Sequence, residues 1–345
     1  MGHKVLIAGG GLAGICLGYQ LAENKIPFIL IDSGVNHSSL KAAGLVNPIV
    51  FRRMLKSWRI DDFLPYAIQF YKKTGKYTDS EFFHYLPMRR GFAHQQETEL
   101  WESKQNLEEY KIYLSKLTNE DKTSEVLINN FGTGIVKETG YIDTKVFLEN
   151  SYAYFKSIDS YQKTEYKYNE FDLSKKTFRG ENFDKIIFCE GYKGIYNPWF
   201  NYLPLQATKG QTIIIKSNTL KDSEILNRKC FLLPLGNNEF KVGATYEWNT
   251  TDLSTTIEGL NTLKENIEQL IHDDYEVIHQ DAGIRPTVKD RRPLLGEHPE
   301  FKNIFIFNGL GTKGYSMAPL LSKELLNYIY ENQPIDREIN ISRFK

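Results

Sequence analysis

The stretch "KVLIAGGGLAGICLGYQLAENKIPFILIDS" constrains this chain more tightly than any other. Residues 4 to 8 are a short apolar run suited to a buried strand. Leu12 to Glu23 carry helical spacing that stops near Asn24, with Pro27 just beyond, and Phe28 to Ile31 form the next apolar run. A strand, helix and strand this closely spaced close as a right-handed parallel crossover. Gly9, Gly11 and Gly14 stand in the first turn in GxGxxG register. The first allows the turn, the second lets the backbone approach a pyrophosphate, and the third lets helix and strand pack closely. The amides of the helix N-terminus, with Leu12 and Ala13 beside them, offer a partial positive charge to that phosphate. Asp32 ends the second strand, 18 residues after Gly14 and just before Ser33. Its carboxylate suits ribose hydroxyls and repels a 2′-phosphate, which argues against NADP. At this point NAD and FAD both remain open.

At 345 residues the chain exceeds what one core usually serves, so two domains are expected. Lys plus Arg and Asp plus Glu both number 43, and this balance gives no whole-molecule attraction to nucleic acid or to an acidic membrane. Cys16, Cys189 and Cys230 are scattered and odd in number, a poor disulfide framework. The first apolar run passes straight into glycines, and no uncharged run approaches the ~18 residues of a membrane helix. A cytoplasmic protein without a membrane partner is the expectation. The histidines show no HxH or HExxH spacing, and neither a P-loop lysine nor a GxSxG elbow is present. Metal-dependent, nucleotide-hydrolase and serine-hydrolase chemistries are therefore set aside.

From about 51 to 130 the character turns aromatic and charged, with helical spacing at Phe63 to Tyr71 and at Leu100 to Leu117, as in an inserted region. Crossover character returns with "GYIDTKVFLENSYAYFKSI" and with "DKIIFCEGYKG", a buried strand running into Gly191. Leu205 to Lys216, Lys229 to Leu233 and Glu239 to Tyr246 read as strands, the last two joined by a hairpin at "GNN". A helix is expected to start near Thr255, with Glu258 at capping-box spacing. The chain closes on "KNIFIFNGLGTKGYSMAPLLSKELLNYI", a strand, a glycine loop and a helix with Pro319 in its first turn. That second glycine turn, with Gly309, Gly311 and Gly314, is of no use to an NAD site. A flavin site uses one, because a helix N-terminus aimed at the pyrimidine side of the ring stabilises the charge gathered there on reduction.

Five ordered landmarks, "GGGLAG" with Asp32, "SLKAAGLVNP", "LQATKGQ", "GIRPTVKDRRPLLG" and "GLGTKGYSMAPLL", resemble those of the FAD-dependent glycine, sarcosine and D-amino acid oxidase (DAO) family. The match is collinear over nearly the whole chain and weakest across residues 51 to 130. The closing motifs are most similar to the FAD oxidoreductase domain of the bacterial bifunctional enzyme forming tRNA 5-methylaminomethyl-2-thiouridine, although its methyltransferase domain has no room here. The resemblance implies an α/β fold: a Rossmann-like FAD-binding domain of the GR2/DAO type, assembled from residues 1–50, 136–204 and 283–345. Residues 51–135 and 205–282 would form a substrate domain of mixed antiparallel sheet and helices.

By the same resemblance Ala43 and Gly44 bring backbone against flavin and pyrophosphate, Val136 presents backbone to the adenine, and Gly191, Thr312, Lys313 and Tyr315 join the cofactor set. Arg285 takes the position that holds a substrate carboxylate, for which a planar guanidinium is suited; a structural ion pair with Asp281 or Asp290 is its alternative. Lys241 takes the position of a lysine assisting oxygen reduction, against the commoner exposed strand lysine. Tyr246 or Phe231 walls the substrate pocket. Gly283 stands where some relatives attach flavin through cysteine, so noncovalent FAD is expected. The implied reaction is hydride transfer to flavin N5 from the carbon beside the nitrogen of a small amine or amino acid, giving an imine, with O2 or another acceptor regenerating the flavin. Two alternatives stand beside it. One is the same chemistry on a carboxymethylaminomethyl-type wobble uridine in tRNA, which would use a basic patch from Arg52, Arg53, Lys56 and Arg59 or from Arg89 and Arg90. The other is an inactive flavin-binding scaffold.

Overall fold

The computed structural model describes residues 4–35, 38–117 and 126–344. A six-stranded sheet runs in the order Tyr161–Lys163, Phe28–Asp32, Val5–Ala8, Lys185–Phe188, Ile304–Asn308 and Leu294–Glu297. The first five strands are parallel and the last is antiparallel. Both faces are covered, which explains why these strands read as continuous apolar runs. Val5, Ile7, Leu30 and Ile187 meet the helices Leu12–Glu23, Thr144–Ser157 and Gly314–Glu331, while Leu6, Ala8, Ile31 and Phe188 meet Phe171 and Phe178 of a three-stranded sheet.

The glycines of the opening turn serve close approach. A Cβ on Gly14 would lie 2.0 Å from the Gly9 carbonyl oxygen, and one on Gly9, whose φ is +112°, would lie 2.4 Å from that of Cys189. Pro319 falls at the sixth residue of the closing helix rather than in its first turn. Its missing amide leaves the Tyr315 carbonyl to the Tyr71 hydroxyl, which donates to it at 2.8 Å.

An eight-stranded sheet forms the second layer. Glu276–Val288 pairs with Leu205–Lys216, which is followed laterally by Glu239–Gly243, Phe231–Gly236, Ile225–Asn227, Met88–Gly91 and Thr133–Val136; Glu247–Trp248 completes it. The hairpin is closed by Asn237 and Asn238, both with positive φ. One face buries Ile213, Ile215, Leu232, Phe240 and Val242 against Leu263 and Ile267 of the helix Ile257–Glu268. That helix is capped by Thr256, one residue later than expected: its hydroxyl accepts from the Gly259 amide at 3.0 Å, and Gln211, not Glu258, supplies the acceptor for the Thr256 amide. The strand Glu276–Val288 passes through residue 283 without a break, and Thr133–Val136 lies in this second sheet. The expected helical run Leu100 to Leu117 is instead a helix, Gln95–Gln105, a short turn of helix, Glu108–Lys111, and an irregular segment.

Arg90 illustrates why charge in the inserted region could not be read as surface. It is 8% exposed, its Nε donates to Glu97 Oε1 at 2.7 Å, and its guanidinium stacks over Phe51. Removing one partner of a buried pair leaves an uncompensated charge at a cost of about 3–5 kcal/mol. Glu97→Ala is accordingly expected to lower unfolding free energy by about 3 kcal/mol, measured by chemical denaturation.

Candidate functional site

Where the two sheets face each other lies a cavity of about 880 Å³. One end is lined by the opening turn, Asp32 and Ser33, the other by Arg285, Tyr246 and Phe231, with Gly311 to Tyr315 between them. At the first end Asp32 Oδ2 accepts from the Gly10 amide at 2.7 Å and Oδ1 from the Gly34 amide at 2.5 Å. The adjoining wall includes residues that sequence reasoning missed. Thr164, Glu165 and Tyr166 follow the edge strand beside Asp32. Glu190, after the buried strand Lys185–Phe188, accepts from the hydroxyls of Tyr166 and Tyr168 at 2.8 and 2.9 Å and from Asn197 Nδ2 at 2.7 Å. Burial raises its carboxyl above the usual range, against the opposing effect of these donors. The one signal for Glu190 was an acid placed directly after an apolar strand.

The closing loop is positioned by backbone and amide contacts. Asn308 Nδ2 donates to the Gly191 carbonyl at 2.9 Å, and the Gly311 amide donates to Pro286 at 2.9 Å. Gly309 and Gly311 have φ of +73° and +58°, and a Cβ on Gly311 would meet nothing within 4 Å. The loop thus opens directly onto the cavity at the N-terminus of Gly314–Glu331. Gly309 itself turns the chain against Val288 and Leu294. Lys313 donates to the Asn47 carbonyl at 3.0 Å and to the Ser57 hydroxyl, and burial lowers its ammonium to about 8. These residues fit a dinucleotide with a ring system at its far end: a phosphate cradle that any Cβ would fill, a carboxylate for a ribose, and a second glycine-opened helix terminus.

Strand alternation assigns the remaining groups. With Ile213, Phe240 and Val242 facing the core, Gly210, Thr212, Lys241, Gly243, Gly283 and Arg285 face the cavity side. The Arg285 guanidinium lies across Gly210, where a Cβ would come within 2.1 Å of it, and stacks over the Tyr246 ring at 4.6 Å. It donates to the Thr245 carbonyl at 3.3 Å. Neither acid expected as its alternative partner engages it, because Asp281 binds Lys41 at 2.8 Å and Asp290 binds Arg343 at 3.0 Å. Lys241 is half-buried rather than exposed. Its Nζ donates to the Ala42 carbonyl at 3.1 Å, and burial lowers it to about 8 while Asp281 opposes that shift.

Val136 lies elsewhere: it is fully buried in the second sheet, opposite Met88, and does not line the cavity. Two cysteines line it. Burial raises the thiols of Cys189 and Cys230, the latter to about 12, which holds both in the weakly nucleophilic form. The basic residues considered for an RNA patch are largely neutralised. Arg89 pairs with Glu224, Arg90 with Glu97, Arg59 with Glu324 and Lys56 with Asp61. Among the described residues no cluster of His, Cys, Asp and Glu could hold a metal ion, and no helix is long and apolar enough to cross a membrane.

The profile of the family described as FAD dependent oxidoreductase (DAO) matches residues 4–327. Over 122 residues the chain is 28% identical to glycine oxidase of Geobacillus kaustophilus, which covers 34% of this chain and 32% of that protein. Over 329 residues it is 26% identical to the tRNA 5-methylaminomethyl-2-thiouridine biosynthesis bifunctional protein MnmC of Legionella pneumophila, covering 88% of this chain and 47% of the other. The matched stretches thus span between a third and a half of these curated relatives. Among solved structures, glycine oxidase from Geobacillus kaustophilus superposes with a TM-score of 0.82 at 18% identity, covering 99% of this chain and 98% of that one. Iminodiacetate oxidase from Chelativorans sp. BNC1 gives 0.82 at 18% identity, covering 97% and 98%. These likenesses show the shared fold.

Asp32→Ala removes the carboxylate that the sequence pattern assigns to a ribose, and a lost charge-assisted hydrogen bond is worth roughly 1.5–3 kcal/mol. FAD affinity is expected to fall by at least about tenfold in a fluorescence titration of apoprotein.

Proposed function

This chain belongs to the DAO family of FAD-dependent oxidoreductases, and on that premise we propose that it oxidises the C–N bond of a small amino acid or carboxylate-bearing amine to an imine, with noncovalently held FAD. The observation carrying this reading is Arg285, a cavity-lining guanidinium with no carboxylate partner among the described residues. Arginine stays charged at neutral pH, and its planar fork matches a carboxylate bidentately. Stacking on Tyr246 holds it in place without neutralising it. Gly210 leaves room for the guanidinium itself, since a Cβ there would meet it at 2.1 Å.

Bound FAD supplies the two-electron acceptor for the hydride released as the C=N bond forms. Arg285 fixes the substrate by its carboxylate, which leaves the neighbouring C–N bond as the part free to lie over the ring. The apolar walls of the cavity favour the neutral amine, whose lone pair forms the new bond once its proton has left to water. The imine is then hydrolysed by water to a carbonyl compound and ammonia, or an amine where the substrate nitrogen carried a substituent. Lys241, on the same sheet face, is the candidate cation for returning electrons to O2 or another acceptor. Tyr246 walls the pocket mouth. Ala43, Gly44 and the two glycine loops hold the cofactor, with Asp32 on the ribose. Ion pairing of Lys56, Arg59, Arg89 and Arg90 leaves Arg52 and Arg53 as the exposed members of the patch that the tRNA reading would use.

The decisive experiment is anaerobic bleaching of the flavin spectrum across glycine, sarcosine, D-amino acids and carboxymethylaminomethyluridine. At least one of the amino acids should bleach it; bleaching by carboxymethylaminomethyluridine alone would favour the tRNA substrate, and no bleaching by any of them would leave the scaffold. Arg285→Ala is expected to raise the apparent substrate Kd by about thirtyfold or more, since a charge-assisted contact of about 2 kcal/mol is lost. Flavin reoxidation should fall as pH rises through about 8, where Lys241 loses its proton. Lys241→Met should slow reoxidation and flatten that fall, as read by stopped-flow mixing with oxygenated buffer.

A further inference from the structure

Residues 38 to 44 form a strap along the cavity, and its carbonyls are secured by side chains from other elements. Tyr315 donates its hydroxyl proton to Ser39 O at 2.9 Å, Thr144 to Leu40 O at 3.1 Å and Lys241 Nζ to Ala42 O at 3.1 Å. The Leu12 amide, in the first turn of the opening helix, donates to the Ser39 hydroxyl at 3.0 Å. Ser38, Ser39, Lys41, Ala42, Ala43 and Gly44 all line the cavity, so the strap forms part of the wall that receives the cofactor. It rests on the strand Glu276–Val288, where a Cβ on Gly283 would meet Lys41 Cβ at 3.2 Å.

Two ammonium groups flank this strap and repel one another, Lys41 and Lys241. The charge that offsets both comes from Asp281, two residues before Gly283 and on the same strand face. Lys41 Nζ contacts its oxygens at 2.8 and 3.0 Å. His279 Nε2 lies 3.2 Å from Oδ2 on the more exposed side. Lys41, His279 and Lys241 are the groups that face this carboxylate, and Asp281 and Lys41 are those that face Lys241. Asp281 is not part of the cavity lining.

We propose that Asp281 is a positioning residue: it pins the strap against the cofactor through Lys41 and supplies the counter-charge that keeps Lys241 protonated on the Ala42 carbonyl, without touching cofactor or substrate. Without it, two like charges face each other across the strap, and the strap loses a tether on one side and a charged donor on the other. The consequence for FAD retention stands independently of the function proposed above, while the consequence for reoxidation rests on it.

The test uses the holoenzyme and the near-isosteric Asp281→Asn. Fluorescence of released FAD should show a dissociation constant raised roughly fivefold, the upper range for a half-exposed ion pair. In stopped-flow reoxidation the alkaline fall should move to lower pH, because loss of the carboxylate favours neutral Lys241. Lys41→Met should raise the FAD dissociation constant without moving that fall to lower pH, since removing a like charge favours the Lys241 ammonium. Asp281→Glu should restore both properties towards wild type. FAD release within twofold of wild type in both Asp281→Asn and Lys41→Met would overturn the strap role. A fall left in place by Asp281→Asn would overturn the role towards Lys241. Should Asp281→Asn not fold, Lys41→Met carries the FAD-release readout and Asp281→Ser, which also lacks the carboxylate, the shift of the alkaline fall. If no amine reduces the flavin, the function proposed above fails, and FAD release alone decides the strap role.

Discussion

Everything in this molecule is arranged around one backbone-to-backbone approach, the seating of Gly14 on the Gly9 carbonyl while Gly9 itself lies against Cys189. The opening helix can lie this close to the sheet only because neither residue carries a Cβ. That seating aims the first-turn amides at the cavity and sets Gly10 beside Asp32, whose carboxylate receives its amide. A larger residue at either position displaces helix, turn and the carboxylate together. The phosphate cradle and the ribose acceptor are thus consequences of a single packing contact.

The second sheet serves a different purpose and is built by a different rule. Its strands alternate: one face packs on the helix Ile257–Glu268, and the other carries Lys241 and presents glycines, Arg285 and a threonine to the cavity. Glycine on that face admits close neighbours, Arg285 over Gly210 and Lys41 over Gly283. Two buried lysines near the cavity have their ordinary hydration replaced by neutral acceptors. Lys241 takes a carbonyl, and Lys313 a carbonyl and a hydroxyl. Desolvation lowers both towards neutrality, so each is poised to gain from negative charge developing nearby.

Much of this was legible in the sequence where local pattern and tertiary role coincide. The two glycine turns, the doubly covered strands and the Asn-Asn hairpin follow from local steric demand, and they appear where spacing placed them. Reading failed where a residue's partner lies far along the chain. Arg89 and Arg90 look like a surface basic pair, yet each meets an acid in the interior. Lys241 looks like an exposed strand lysine until the strap carbonyl of Ala42, 199 residues away, is brought to it. Thr255 seemed the natural cap beside Glu258, but Gln211 from a neighbouring strand captured the Thr256 amide instead.

By itself the sequence determined that a glycine turn would join strand to helix at the start of the chain and that a second glycine-opened helix terminus would stand at its end, because glycine placement and apolar periodicity are local properties with few steric solutions. Only the tertiary structure decided which charges remain unspent. Asp281 could have neutralised Arg285 but is held by Lys41, and Asp290 is held by Arg343. Competition among partners 53 to 240 residues apart is settled by strand register and tertiary packing, which local pattern does not encode, and from it follows, among the described residues, a guanidinium facing the cavity without a carboxylate.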